Sequence, residues 1–202
     1  MKVVGICGGS GSGKSTLSAL FLKHGVPVID ADRVYSELTA GRSACMEAIA
    51  FEFGCGVVNP DWSLNREALS REVFFSDRAG ERRARLNEIT HAYVLERIDS
   101  DLQRYASEGK AAVVVDIPLM FECGFDKKCD LTISVTAKRE LRILRITERD
   151  GISVEAAERR IDAMRSDEFL RENTDLTFDN SGSLTDLCEF VDSVTRKYGL
   201  CR

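Results

Sequence analysis

The stretch from Gly8 to Ser15 reads Gly-Gly-Ser-Gly-Ser-Gly-Lys-Ser and meets every fixed position of G-x-x-x-x-G-K-[ST]. No other feature constrains the fold as tightly, because such a loop works only where a strand hands over directly to a helix. Its glycines let consecutive backbone N–H groups turn inward around phosphate oxygens, and the helix N-terminus adds a partial positive charge. The flanking sequence supplies both partners. Residues 2–7 form a short apolar run without alternation, as a buried parallel strand would. Residues 14–25 place Leu17, Leu20 and Phe21 on one helical face and Gly25 at the stop position. Gly11, Ser12, Gly13, Lys14, Ser15 and Thr16 are therefore candidate nucleotide contacts. Lys14 is placed to reach the β- and γ-phosphates, and the Ser15 hydroxyl to ligate Mg2+. The competing reading, a glycine turn with a chance lysine, has odds of about one in a hundred for a chain of this glycine content.

The rest of the chain alternates strands and helices. Residues 26–30 read as a second strand, which completes a strand–helix–strand unit. Residues 33–107 are rich in helix formers, with Leu86, Ile89, Tyr93, Ile98 and Leu102 at helical spacing and no clear strand. Residues 111–121 return to a buried strand ended by Pro118, and 130–135 form another. Residues 138–173 are helical, densely charged and broken by Gly151. Residues 175–180 are a last short strand, after which Ser183 caps a final helix to about Lys197. This order predicts an α/β fold, a doubly wound parallel sheet of the P-loop nucleoside-triphosphate hydrolase type with a helical substrate insertion and a helical lid. The expected division is a nucleotide-binding core of residues 1–32, 108–137 and 174–202, an acceptor subdomain of 33–107, and a lid of 138–173.

Composition narrows the partners. The chain has 202 residues, enough for one sizeable core with a small insertion. A net charge of −5 argues against a nucleic-acid binder. Seven cysteines, an odd number with no C-x-x-C pair, offer neither zinc spacing nor a disulfide framework and read as reduced thiols. The N-terminal apolar stretch is too short for a signal-peptide core, and no apolar run approaches a membrane span. The expectation is a cytoplasmic protein that binds neither nucleic acid nor membrane, a monomer or weak homo-oligomer.

The phosphate loop leaves the fate of the terminal phosphate open. A switch GTPase needs a guanine-reading N-K-x-D element, which this sequence lacks. An ATPase motor usually has a longer chain. A small-molecule kinase suits the size, the helical insert and the charged late helices, since a lid can keep water from the phosphate. Asp30-Ala31-Asp32 falls just past the carboxyl end of the second strand, the edge where ligands bind in open α/β sheets. A carboxylate there can take an acceptor hydroxyl's proton, or it can simply cap the next helix. Lys138, Arg142, Arg145 and Arg149, spaced four, three and four, would line one side of a helix and could close over a triphosphate. The alternative is a solvated face, which spacing alone favours, because residues 138–171 hold nine basic and eight acidic side chains. Asp116, ending its strand, is either a Mg2+-holding acid or a plain strand-end residue. A nucleotide-binding regulator without transfer chemistry, and a kinase for another nucleoside or sugar-like acceptor, are the remaining classes.

With these pieces located, the chain resembles the dephospho-CoA kinase family. The resemblance runs through Gly8–Thr16, residues 25–38, Leu64–Leu69 with Val73-Phe74, residues 86–91, residues 118–122, the Arg145–Ser153 stretch and residues 178–184. It implies ATP-dependent phosphorylation of the ribose 3′-hydroxyl of dephospho-CoA, with Mg2+ accompanying ATP, as the last step in making coenzyme A. It further implies Asp32 as the base or hydroxyl-orienting group, and Lys14 and Arg145 on the transferred phosphate. Arg149 and Asn180 are implied on the ATP side, Asn180 near the adenine, and Arg66 and His91 as acceptor contacts. His91 alone reads equally well as a packed helix residue. Three positions depart from the family pattern: Cys7 where threonine is frequent, Ala92 where proline is usual, and Met164 where glutamine is common.

Overall fold

A computed structural model describes residues 1–75 and 77–201. Residue 76, inside the expected helical insertion, and residue 202, at the end of the expected core, lie outside the described residues. Five strands form one parallel sheet in the order β2-β3-β1-β4-β5: β1 (Lys2–Gly8), β2 (Val28–Asp30), β3 (Ala112–Asp116), β4 (Leu131–Thr136) and β5 (Leu176–Asp179). The chain leaves β1 through α1 (Lys14–Lys23) for the β2 side and later crosses to β4 on the other side. The winding therefore reverses at β1, and a crevice opens at its carboxyl end.

The three inner strands are mostly apolar because both faces are covered. Val4, Ile6, Val114, Ile133 and Val135 cluster with Leu17 and Phe21 of α1 and with Leu187 and Val191 of α9 (Leu184–Tyr198). Each fully buried side chain of this size contributes about 1.5–3 kcal/mol. Cys7, Val113 and Val115 are buried among the intervening residues. Polar side chains there are satisfied: the Asp175 carboxylate accepts from the Thr132 backbone N–H and hydroxyl, both at 2.7 Å, and the Ser134 hydroxyl bonds Thr177 at 2.7 Å.

The expected elements form, with shifted ends. The strand expected over 111–121 stops at Asp116, and residues 118–124 turn. Pro118 has no N–H to offer a ladder and biases the residue before it. The strand expected from residue 26 begins at Val28. Ser183 caps α9 in a reciprocal box with Asp186. The segment 138–173 becomes three helices, α6 (Arg139–Asp150), α7 (Val154–Asp162) and α8 (Asp167–Asn173). Gly151 ends α6 in the left-handed conformation at φ 63°, while Ser153 and Ser166 cap the two helices that follow.

The described residues divide into two compact units, Met1–Asp30 with Arg104–Arg202, and Ala31–Gln103. The second is helical: α2 (Ala31–Leu38), α3 (Ala44–Phe53), α4 (Arg66–Phe74) and most of α5 (Ala79–Ser107). Its core joins Met46 and Ile49 of α3 to Leu69 and Val73 of α4, with Leu86, Ile89 and Tyr93 of α5 packed against them. These three belong to the apolar stripe legible in the sequence. None of the described helices is long and apolar enough to cross a membrane.

Candidate active site

The loop between β1 and α1 is built on tightly surrounded glycines. Gly11 and Gly13 sit at φ 76° and 94°, where side chains rarely go, and Gly13 is the N-cap of α1. A Cβ on Gly13 would lie 2.0 Å from Asn180 Nδ2, and one on Gly9 would lie 2.1 Å from Arg142 Nη2. The crowding comes from side chains that clasp the loop. Arg142 Nε donates to the Ser10 carbonyl at 2.9 Å, and Asn180 Nδ2 donates to the Ser12 carbonyl at 2.8 Å. Arg145 Nη1 donates to the carbonyls of Gly11 and Ser12 at 3.3 and 3.4 Å, and its Nη2 donates to the Asn180 carbonyl at 3.0 Å. Three consecutive carbonyl oxygens, each of which would repel a phosphate, are thereby engaged by donors.

Arg142 is 5 % exposed, and its Nη1 meets Asp167 of α8 at 3.2 Å. Burial pulls this guanidinium below its ordinary range, with Asp167 working the other way. Its Nη2 and the Ser12 hydroxyl are buried without a hydrogen-bond partner. Orphaned donors of this kind beside a glycine loop suit an anionic ligand.

Lys14, the first residue of α1, donates to the Asp116 carboxylate at the end of β3. The other carboxylate oxygen accepts from the Ser18 hydroxyl at 2.7 Å. Register explains the meeting: Asp116 pairs with Ile6 of β1 on one side and Asp30 of β2 on the other, at the sheet's carboxyl edge. Ser18, one helical turn beyond Lys14, is absent from the motif, and only its spacing of four from Lys14 could have pointed to it. The hydroxyl of Ser15 and the carboxylate of Asp116 are hard oxygen donors of the type Mg2+ takes. Among the described residues no group of three or more His, Cys, Asp or Glu is arranged to hold a metal ion. The residues thus fit a cation that keeps most of its coordination from phosphate and water.

The remaining candidates divide between the two units. In the unit carrying the sheet, Gly11, Ser12, Gly13, Lys14, Ser15 and Thr16 share the loop and the first turn of α1, with Arg145 and Asn180 on the loop's carbonyls. Arg149 is apart from them, pairing with Asp150 at 2.7 Å and mostly exposed. The basic row is thus split: its locally paired reading describes Arg149, while Arg142 and Arg145 reach the loop. In the helical unit, Asp32 lies in the first turn of α2, two residues after β2 ends. Arg66 opens α4 with its guanidinium 5.9 Å from the Tyr35 ring centre, and His91 is half-buried on α5. Burial raises the Tyr35 hydroxyl above its ordinary range, with Arg66 lowering it. Cys7 has its thiol pushed up to about 12 by burial, so it is a neutral packing group at neutral pH.

Residues 2–186 match the family model described as dephospho-CoA kinase. A dephospho-CoA kinase of Symbiobacterium thermophilum is 41% identical over 184 residues, 91% of this chain and 76% of that protein. The solved dephospho-CoA kinase of Campylobacter jejuni superposes with a TM-score of 0.71 at 25% identity, over 96% of each chain. Shikimate kinase from Acinetobacter baumannii, solved with shikimate, shares the fold at a TM-score of 0.56 and 16% identity, over 99% of this chain and 96% of that one.

Proposed function

This chain belongs to the dephospho-CoA kinase family, and we infer that it transfers the terminal phosphoryl group of ATP to the ribose 3′-hydroxyl of dephospho-CoA. The products are coenzyme A and ADP, in the final step of coenzyme A biosynthesis. The observation that carries this reading is the glycine loop whose carbonyls are engaged by Arg142, Arg145 and Asn180 beside the Lys14–Asp116 pair.

We assign the roles as follows. The backbone of Gly11–Thr16 and the α1 N-terminus hold the ATP phosphates. Lys14 leaves Asp116 for the β- and γ-phosphates and neutralises charge on the group being transferred. The Asp32 carboxylate accepts the proton of the 3′-hydroxyl as its oxygen attacks phosphorus in line with the departing ADP. Arg145 supports the transferred phosphate through the loop it braces, Asn180 stands on the nucleoside side of ATP, and Arg149 adds positive charge to the lid of residues 138–173. Arg66 and His91, on the helical unit, contact the acceptor. The Ser15 hydroxyl, with Asp116 behind it, would hold Mg2+, which would supply charge neutralisation to the ATP phosphates. Seven free thiols support a reducing, cytoplasmic setting.

The test is ADP release from ATP and Mg2+ with and without dephospho-CoA, with the product analysed for a new 3′-phosphate. Acceptor-dependent release is expected. ATP turnover that ignores the acceptor overturns the reading.

A further inference from the structure

We propose that Arg142 is a positioning residue for ATP: by holding the Ser10 carbonyl it keeps the Gly11 N–H turned toward the phosphates, while Asp167 holds the guanidinium in place. The inference rests on the reading above only in taking ATP as the occupant of the loop.

Arg142 comes to the loop from α6 and is buried against it. Its Nε donates to the Ser10 carbonyl at 2.9 Å, and its Nη1 to Asp167, the first residue of α8, at 3.2 Å. Its Nη2 lies against Gly9, where a Cβ would come within 2.1 Å of it. A Cβ on Gly11 would lie 2.7 Å from the Arg142 carbonyl oxygen and 3.0 Å from its Cα. Arg142 is thus pressed against both neighbours of the residue it bonds.

The Ser10 carbonyl and the Gly11 N–H belong to one peptide unit. The unit is planar and trans, so the two groups point in opposite directions. A donor fixed on the carbonyl side therefore fixes the N–H on the other. Without that donor the plane can turn over. Gly11 stands at φ 76°, and a half-turn of the plane carries it to a negative φ that glycine accepts as readily. The turned peptide would aim a carbonyl oxygen at the phosphates in place of an N–H. A charged donor resists this more strongly than a neutral one. An arginine fork also reaches Ser10 and Asp167 at once, which a lysine head holds less rigidly.

Asp167 supplies the discriminating sign. Its side chain is 23 % exposed against 6 % for Arg142, and its carboxylate acts on the loop through the guanidinium. As a bare charge it repels an anionic nucleotide, so its removal would tighten ATP binding. As the brace of Arg142 it aids binding, so its removal weakens it.

The test uses Arg142→Met, which keeps a long apolar stem at a buried position and lacks every donor, and Asp167→Ala at the more exposed end of the pair. By calorimetry the Kd for ATP is expected to rise about tenfold in Arg142→Met and about threefold in Asp167→Ala. Asp167→Ala is expected to add nothing in the Arg142→Met background. In steady state the KM for ATP rises by similar factors, while kcat and the KM for dephospho-CoA stay within about twofold. In nucleotide-free protein the Gly11 amide is expected to give one NMR signal in the wild type and a broadened or doubled one in Arg142→Met, the mark of two peptide orientations. Tighter or unchanged ATP binding in Asp167→Ala, additive effects in the double variant, or a single unshifted Gly11 signal in Arg142→Met overturns the proposal. A wild type that binds ATP but transfers nothing to dephospho-CoA overturns the kinase reading alone. A wild type that does not bind ATP overturns both.

Discussion

Lys14 and Asp116 are ion-paired across 102 residues of sequence, the ammonium at the start of α1 meeting the carboxylate at the end of β3. The lysine side chain is 14 % exposed and the aspartate 4 %, so each neutralises a charge the other could not leave in low dielectric. A nucleotide that recruits Lys14 must first separate the pair. Breaking such a pair by removing one partner costs about 3–5 kcal/mol. Lys14→Ala is therefore expected to lower stability to urea by an amount of that order and to abolish transfer. Asp116→Asn acts differently, because it releases Lys14. ATP binding without metal, measured by calorimetry in EDTA, is expected to tighten by about three- to tenfold. Turnover with Mg2+ falls in the same variant. Unchanged metal-free affinity would show that the pair does not compete with phosphate.

The contact between Gly13 and Asn180 lends itself to a double-mutant cycle. Gly13→Ala meets two obstacles, a φ of 94° and the Asn180 amide 2.0 Å from the new methyl. Asn180→Ala removes the second and leaves the first. Gly13→Ala is expected to cost less in the Asn180→Ala background than in the wild type, with a coupling of about 1 kcal/mol or more by urea unfolding. Additive costs would mean that the amide moves aside freely and does not brace the loop.

The parts of this molecule legible in its sequence are those encoded locally. The phosphate loop, the capped final helix and the apolar stripe of α5 depend on residues within a turn or two of each other, and all three form. Element ends were less legible. Apolar character runs through Ile117, Leu119 and Met120, so the sequence extends β3 to residue 121, but Pro118 ends the ladder and those side chains pack in a turn. Side-chain reach was least legible. Arg142 and Arg149 have the same chemistry at helical spacing, yet Arg142 bonds a carbonyl 132 residues away while Arg149 bonds its neighbour. Only the packing of α6 against the loop separates the two.

Asp32 follows β2 directly and opens α2, which gives its carboxylate two possible tasks, catalysis and helix support. Kinetics separate them. Asp32→Asn keeps the size and one side-chain acceptor oxygen but loses the basic carboxylate. General-base loss is worth about 10²–10⁴ in kcat, while ATP affinity is expected to stay within about twofold. Steady-state rates with saturating dephospho-CoA, together with ATP titration, make the comparison. Small and equal effects on both would assign Asp32 to the helix alone.

Buried thiols, Cys7 and Cys129 most strongly, contribute to the protein's response to alkali. Burial pushes Cys7 up to about 12, the Lys14 charge offsetting only part of it, and pushes Cys129 to about 12 as well. In the unfolded chain a thiol titrates near 9.0. The folded pKa is above the unfolded one, so the contribution is fully present below pH 9 and is lost as pH climbs from 9 toward 12. The unfolded state sheds its proton first, which tilts the equilibrium toward unfolding by at most about 1.4 kcal/mol per pH unit for each thiol. Urea midpoints measured from pH 8 to 10.5 are expected to fall above pH 9 in the wild type and to fall less steeply in Cys7→Ala. That variant also loses packing at Cys7, which is 1 % exposed, and so starts from a lower midpoint at pH 8. The slope above pH 9, rather than the starting value, reports the thiol. Parallel slopes in the two proteins would mean that Cys7 titrates in the folded protein as it does in the unfolded chain, and that the alkaline loss originates elsewhere.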